Sequence, residues 1–386
     1  MPPQTSATGW RTSRSASSIA KATQSQTSHP EYRQTHAHPN LPSAPPLSTE
    51  AFRDSETSAS DQAQYQKIAK QLFNASVPEN ALKWQSMAPE PGKVDYSEAD
   101  RLIQWSDRAR LSMRGHTLFW EVEEFNPTWV KALKPEALRK TMLDRTKNLC
   151  QRYRGKVDEI DLFNEMLHGN FFTSRLGPGI IKEVADTCKQ ANPQVKLYVN
   201  DYDILNGTRL EDYANQIQDL LNSGVPIEGI GIQAHIEKPL TTTEINTALD
   251  RLAPFNLPLK ITEVSLKAPS DEAQAQWLTD LYTTAFAHKS VESILLWGYW
   301  EPRHWWPQAA LYRKDWTPKP AAIAYQTLIH NQWWTHKTLT TDKAGQIQTP
   351  AFLGQYEISI REGNRHRTQP LILTKDNPIQ TTIVLK

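Results

Sequence analysis

Two glutamates give the sequence its first chemical signal. The run Asp161-Leu162-Phe163-Asn164-Glu165-Met166 closes on Asn-Glu, and Ile261-Thr262-Glu263 ends in the same way roughly 100 residues later, which leaves room for two or three strand-helix units of an α/β barrel. A carboxylate at a buried strand's exit lies where such folds gather their functional groups. Glycosidic cleavage with retention needs such a pair: one carboxyl protonates the leaving oxygen and the other attacks the anomeric carbon, roughly 5 to 5.5 Å away. Glu165 and Glu263 fill these two roles. The acid must stay protonated near neutral pH, and repulsion from the neighbouring carboxylate raises its pKa.

Other polar and aromatic residues stand at or just beyond strand exits. Glu79, Asn80, His116 and Trp120 follow two early strands, and Asn164, Tyr202, Gln233, His235 and Trp297 follow later ones. A single buried carboxylate or histidine is more often a satisfied structural group, but their convergence on one rim points to a site. Asn164 could hold a sugar hydroxyl beside Glu165, and His235 could orient Glu263 and keep it ionised. Trp297 and Trp305 offer apolar faces to a sugar ring, and Lys83 offers donors to hydroxyls. No His-Cys cluster has zinc-ligand spacing and no Gly-x-Ser-x-Gly elbow occurs. No metal or cofactor is therefore expected, and His36 and His38, in the N-terminal lead, are given no metal role.

Alternating elements must position these residues. Helical spacing is predicted over Asp61 to Leu72, Ser97 to Arg108 with Ser97 as N-cap, Pro135 to Arg152, and Gly179 to Ala191. It continues over Arg209 to Leu221, a helix capped by Thr243, Ser270 to His288, and Pro320 to His330. Between the helices lie apolar strands at 73–77, 111–116, 157–165, 196–202, 227–235, 258–263 and 293–297. An eighth, first strand is doubtful: the run from Asn40 to Ser48 is the candidate, and its prolines argue against a central position. The pattern predicts an α/β fold, a (β/α)8 TIM barrel, with a small C-terminal antiparallel β module. An open doubly wound sheet is disfavoured because no glycine-rich phosphate loop follows any strand.

The barrel is assigned to residues 46–332, after a disordered lead over 1–45 rich in Ser, Thr, Pro and Gln, and before a β extension over 333–386. Across 386 residues, 43 basic side chains nearly balance 42 acidic ones, so no nucleic-acid or membrane partner is indicated. No apolar run reaches the roughly 20 residues a bilayer span requires. The 13 tryptophans exceed what a core needs, which suggests flat platforms for sugar rings beside those that are buried. The two cysteines, Cys150 and Cys188, are too few for a disulfide framework and are expected to be buried thiols near helix ends, with pairing left open if those helices are neighbours. No apolar signal core is visible between Met1 and Lys21, and a monomer is expected.

At these residues the chain resembles glycoside hydrolase family 10, the endo-β-1,4-xylanases. Arg114-Gly115-His116-Thr117-Leu118-Phe119-Trp120, Gly229-Ile230-Gly231-Ile232-Gln233-Ala234-His235 and Ile261-Thr262-Glu263 are similar to three motifs of that family in order. Pro78-Glu79-Asn80 with Lys83-Trp84, Asn164-Glu165 and Asn200-Asp201-Tyr202 match as well, so the likeness runs from Gln64 to Ile329. Details such as Phe119-Trp120-Glu121 look most like the branch found in plants and some bacteria. The resemblance implies retaining cleavage within the xylan backbone, with Glu165 as acid/base and Glu263 as nucleophile. It also implies an extracellular or periplasmic location and a xylan or xylooligosaccharide partner. Three departures stand out. Ser265 replaces the family's Asp two residues after the nucleophile, so the activity optimum is expected to move. Trp300-Glu301 follows Trp297-Gly298 where Ser or Thr and Asp are common, and the Phe-Gly-x-Ala opening strand is not recognisable before Asp61. A non-catalytic or weakly active xylan-binding barrel is the alternative expectation.

Overall fold

The computed structural model describes residues 15–22, 29–33, 45–53, 55–352, 354–373 and 380–383. After two N-terminal strands, β1 (Ser15–Ala22) and β2 (His29–Arg33), the chain builds one large parallel sheet. Its strands are β3 (Pro46–Leu47), β4 (Ala75–Pro78), β5 (Ser112–Gly115), β6 (Phe119–Trp120), β7 (Glu159–Asn164) and β8 (Lys196–Asp201). They are followed by β9 (Gly229–Ile236), β10 (Leu259–Leu266) and β11 (Val291–Leu296). Among the described residues the spatial order is β11-β10-β9-β8-β7-β5-β4-β3, with β6 pairing beside β7. Every ladder in this order is parallel, and helices return the chain between strands, so the architecture is a nearly closed (β/α)8 TIM barrel.

Burial explains the sequence pattern. Every residue of β7 and β10 is buried, because a barrel strand is covered on both sides and reads as a continuous apolar run. The helices show one apolar face instead: Leu210–Asn222 buries Leu210, Tyr213, Ala214, Ile217 and Leu220, at helical spacing. Helix starts differ slightly from expectation. Ser97 is the first helical residue and its N–H is taken by Asp95 Oδ1 at 2.8 Å. Thr241, not Thr243, caps Thr242–Leu252, through a capping box with Glu244.

The doubtful first strand is present but two residues long. Pro46 pairs with Val77 and Leu47 with Pro78, while Pro45 and Leu47 carbonyls accept the N–H groups of Val77 and Glu79 at 3.3 and 3.2 Å. A strand at the end of the sheet order that offers carbonyls tolerates prolines that a central strand would not.

Inside the barrel, Arg114 donates to Glu159 at 2.7 Å and to Asp161, and Lys260 donates to Glu159. Two cations and two carboxylates thus balance each other where single buried charges would be costly.

Cys150 and Cys188 are not free thiols. They form a disulfide between the helices Pro135–Arg152 and Gly179–Ala191, with Cα atoms 5.4 Å apart. Helix adjacency, which the barrel order dictates, brings them within bonding range. Replacing both by alanine is expected to cost about 2–4 kcal/mol, since the bridge closes a long loop in the unfolded chain. Thermal unfolding with and without reductant checks this: the parent should lose stability on reduction and the variant should not.

A separate unit gathers residues 1–40, 286–289 and 327–386. Its strands include β12 (His336–Thr338), β13 (Gln346–Phe352), β14 (Gly354–Glu362), β15 (Arg365–Leu373) and β16 (Gln380–Ile383). One sheet runs β12-β2-β14-β15, all antiparallel, and another β13-β1-β16. The lead expected to be disordered therefore supplies two strands. Strand pairing draws on main-chain groups that every residue carries, so a segment too polar to fill a core can still complete a sheet. His36 and His38 lie outside the described residues. No helix among the described residues is long and apolar enough to cross a membrane.

Candidate active site

The two strands that carry the glutamates change register just before delivering them. The β7–β8 ladder shifts between Asp161 and Phe163, and the β9–β10 ladder between Ile261 and Glu263. Such a shift re-aims the side chains that follow it. Beyond it Asn164 pairs with Asn200 and Glu263 with Gln233. Glu165 then turns off the strand with φ of 60°, in the left-handed region that non-glycine residues seldom occupy and that concentrates at functional sites.

Three donors converge on Glu165. Trp120 Nε1 reaches Oε2 at 2.7 Å, while Gln233 Nε2 and Asn164 Nδ2 reach Oε1 at 3.0 and 3.1 Å. Glu263 accepts from Asn200 Nδ2 at 2.8 Å on Oε1, and from His235 Nε2 at 3.2 Å on Oε2. Asn200 Nδ2 also donates to Asn164 Oδ1 at 2.9 Å, and the Thr262 hydroxyl donates to Asn200 Oδ1 at 2.5 Å. Both carboxylates therefore hang on one buried amide network, which fixes their orientation before any substrate arrives.

The network separates the two carboxyls electrostatically. Burial is the largest influence on each and pushes both pKa values up. At Glu165 burial prevails, aided by the charge of Glu263 and opposed by the Gln233 and Trp120 hydrogen bonds, so its pKa stands above the usual range. At Glu263 burial is outweighed by the His235 hydrogen bond and by the charges of His116, His235 and Lys83, so its pKa stands below. The arrangement favours a protonated Glu165 beside an ionised Glu263 at one pH.

The other predicted residues line the same cleft, whose volume is about 840 Å³. Lys83 donates to Asn80 at 2.9 Å and lies 4.7 Å from the centre of the Trp120 ring. Glu79 is pushed up to about 7, chiefly by burial and against the charge of Lys83. His116 donates from Nδ1 to Asp161 at 2.9 Å and meets the edge of Trp297 at 5.1 Å. Tyr202 stacks on His168 at 3.5 Å, and Trp305 stands half-exposed on the rim. Glu79, Asn80, Lys83, His116, Trp120, Asn164, Glu165, Tyr202, Gln233, His235, Glu263, Trp297 and Trp305 all contribute to this one cleft.

Sequence reasoning left out Asn200, which joins the two glutamates, and Phe125 and Trp306, which also line the cleft. Asn200 lies near the end of a predicted strand and opens the Asn200-Asp201-Tyr202 motif, and those were its visible signals. Gly298 has φ of 111° and sits so close to the His304 ring that a Cβ there would collide with it; a glycine is needed to carry the chain from Trp297 toward Trp305. Among the described residues no group of three or more His, Cys, Asp or Glu side chains is placed to hold a metal ion.

The chain is similar to several known proteins. The chain is 35 % identical over 297 residues to the anti-sigma-I factor RsgI6 of Acetivibrio thermocellus, covering 77 % of this chain and 39 % of that protein. It is 32 % identical over 292 residues to endo-1,4-beta-xylanase 1 of Arabidopsis thaliana, covering 75 % of this chain and 31 % of that one. The chain thus spans well under half the length of these curated relatives. Among solved structures, native xylanase 10B from Thermotoga maritima superposes with a TM-score of 0.69 at 25 % identity, over 76 % of this chain and 96 % of that one. The profile of Glycosyl hydrolase family 10 matches residues 48–328. By this match, which takes in β4 to β11 and both cleft glutamates, the chain belongs to glycosyl hydrolase family 10.

Proposed function

We propose that the barrel is a retaining endo-β-1,4-xylanase, with Glu165 as acid/base and Glu263 as nucleophile. The observation that carries this reading is the pair of buried glutamates on one amide network with pKa values displaced in opposite directions. Glu263 attacks the anomeric carbon while Glu165 protonates the departing oxygen; Glu165 then takes a proton from the water that releases the sugar. Glu79, Asn80, Lys83, His116, Trp120, Asn164, Tyr202, Gln233, His235, Trp297 and Trp305 bind the xylan chain. Likeness to the Arabidopsis thaliana xylanase supports the substrate class. The Cys150–Cys188 bridge supports an oxidising, extracellular or periplasmic setting. The catalytic unit is assigned to residues 46–332, acting as a monomer.

A xylan-binding barrel that cleaves weakly or not at all is the second reading, favoured by Ser265 in place of an acidic residue and by an opening strand of only two residues. One experiment separates the two. Reducing ends released from xylan are measured beside binding to the same polymer, and the anomeric configuration of the first product is followed by proton NMR. Release of the β-anomer before mutarotation is the expected result; binding without release supports the second reading, and a first-formed α-anomer rules out retention.

A further inference from the structure

Trp305 is 47 % exposed on the cleft rim, yet three contacts restrain its indole. Its Nε1 donates to the Ser265 hydroxyl at 3.1 Å. Its ring stacks on Trp306 with centroids 4.2 Å apart and planes 17° from parallel, and Lys267 Nζ lies 5.2 Å from the centre of the Trp306 ring. Its ring also meets His235 edge to face at 4.8 Å.

Ser265 is unusual for where it spends its hydroxyl. It is 1 % exposed, stands two residues beyond Glu263 on β10, and pairs across the ladder with His235. The two-residue period of a strand puts it on the Glu263 side. The hydroxyl nevertheless serves the indole, while His235 Nδ1 is buried with no hydrogen-bond partner. A buried polar group on the strand of the nucleophile is therefore devoted to a surface ring that touches neither carboxylate through any hydrogen bond of the network.

We propose that Ser265 is a positioning residue for Trp305, holding the indole, against its Trp306 stack, as a preset platform for one sugar ring of the substrate. This deepens the xylanase reading and rests on it for the identity of the sugar. A ring already fixed in its binding orientation loses little freedom when a sugar docks, and releasing that constraint weakens binding roughly three- to tenfold. The effect falls on binding and not on bond cleavage, because Trp305 presents an apolar face to the sugar whereas Glu165 and Glu263 keep their own network.

The test uses the full chain in two backgrounds. In the otherwise unaltered protein, Ser265→Ala is expected to raise KM for xylohexaose about fivefold while kcat changes less than twofold, and Ser265→Thr, which keeps the hydroxyl, to restore KM. In a Glu263→Ala background, titration calorimetry with xylohexaose should show the same loss and rescue of affinity. Trp306→Leu should give a similar loss, and its combination with Ser265→Ala a loss smaller than the product, since both act on one ring. Unchanged KM and affinity in Ser265→Ala overturn the proposal. So does a fall in kcat with a displaced pH profile at constant KM, which would place Ser265's influence on Glu263 through His235. A parent chain that binds xylohexaose without cutting it counts against the xylanase reading and leaves the affinity series to judge Ser265; a chain that does not bind it overturns both.

Discussion

Replacing Glu263 by alanine is expected to lower xylan hydrolysis by about 10⁴-fold or more, as happens when a nucleophile is removed from a site that otherwise stays assembled. The fold should persist, because the lost carboxylate and its partner His235 both line an open cleft that water can enter. Glu263 contributes repulsion that holds the Glu165 carboxyl up. Its removal should therefore let the Glu165 pKa fall, visible in an NMR titration of the variant beside the parent. Reducing-end release measures the rate and calorimetry with xylohexaose shows that the cleft still binds. Hydrolysis within tenfold of the parent would falsify the assignment of Glu263 as nucleophile.

The rim was legible because it follows from periodicity. Apolar runs alternating with amphipathic helices imply a barrel, and a barrel sends every strand exit to the same face, so Glu79, His116, Glu165, Gln233 and Glu263 could be grouped without any contact being known. Features that depend on which elements become neighbours were not legible. Cys150 and Cys188 meet because two helices lie side by side, and nothing in their spacing along the chain says so. The opening strand, Pro46–Leu47, is too short to show a period, and its prolines are acceptable because it offers carbonyls at the end of the sheet order. Asn200 and Ser265 owe their importance to where single hydrogen bonds go, to Glu263 in one case and to Trp305 in the other. The lead misled for a different reason: its composition argues correctly against a core, but β1 and β2 are held by main-chain ladders.

Glu165→Ala is expected to reduce xylan hydrolysis by about 10²- to 10⁴-fold, the usual share of a positioned proton donor. The loss should be far smaller for the first turnover of an aryl xyloside whose leaving group departs without a proton, so a burst of phenol followed by slow turnover is the expected trace. The pH profile is the sharper reading. Parent activity requires an ionised Glu263 and a protonated Glu165. It should therefore rise as pH passes upward through the lowered Glu263 pKa and fall as pH passes through the raised Glu165 pKa, giving a plateau wider than two ordinary carboxyls would leave. Without Glu165 the falling limb has no source, and first-turnover rates on the aryl xyloside should rise with pH and then stay level. A falling limb that survives in the residual xylan hydrolysis of Glu165→Ala would assign the proton to another buried acid of the cleft. Glu79, pushed up to about 7 by burial and coupled electrostatically to Glu263, is the group that Glu79→Gln would then have to silence.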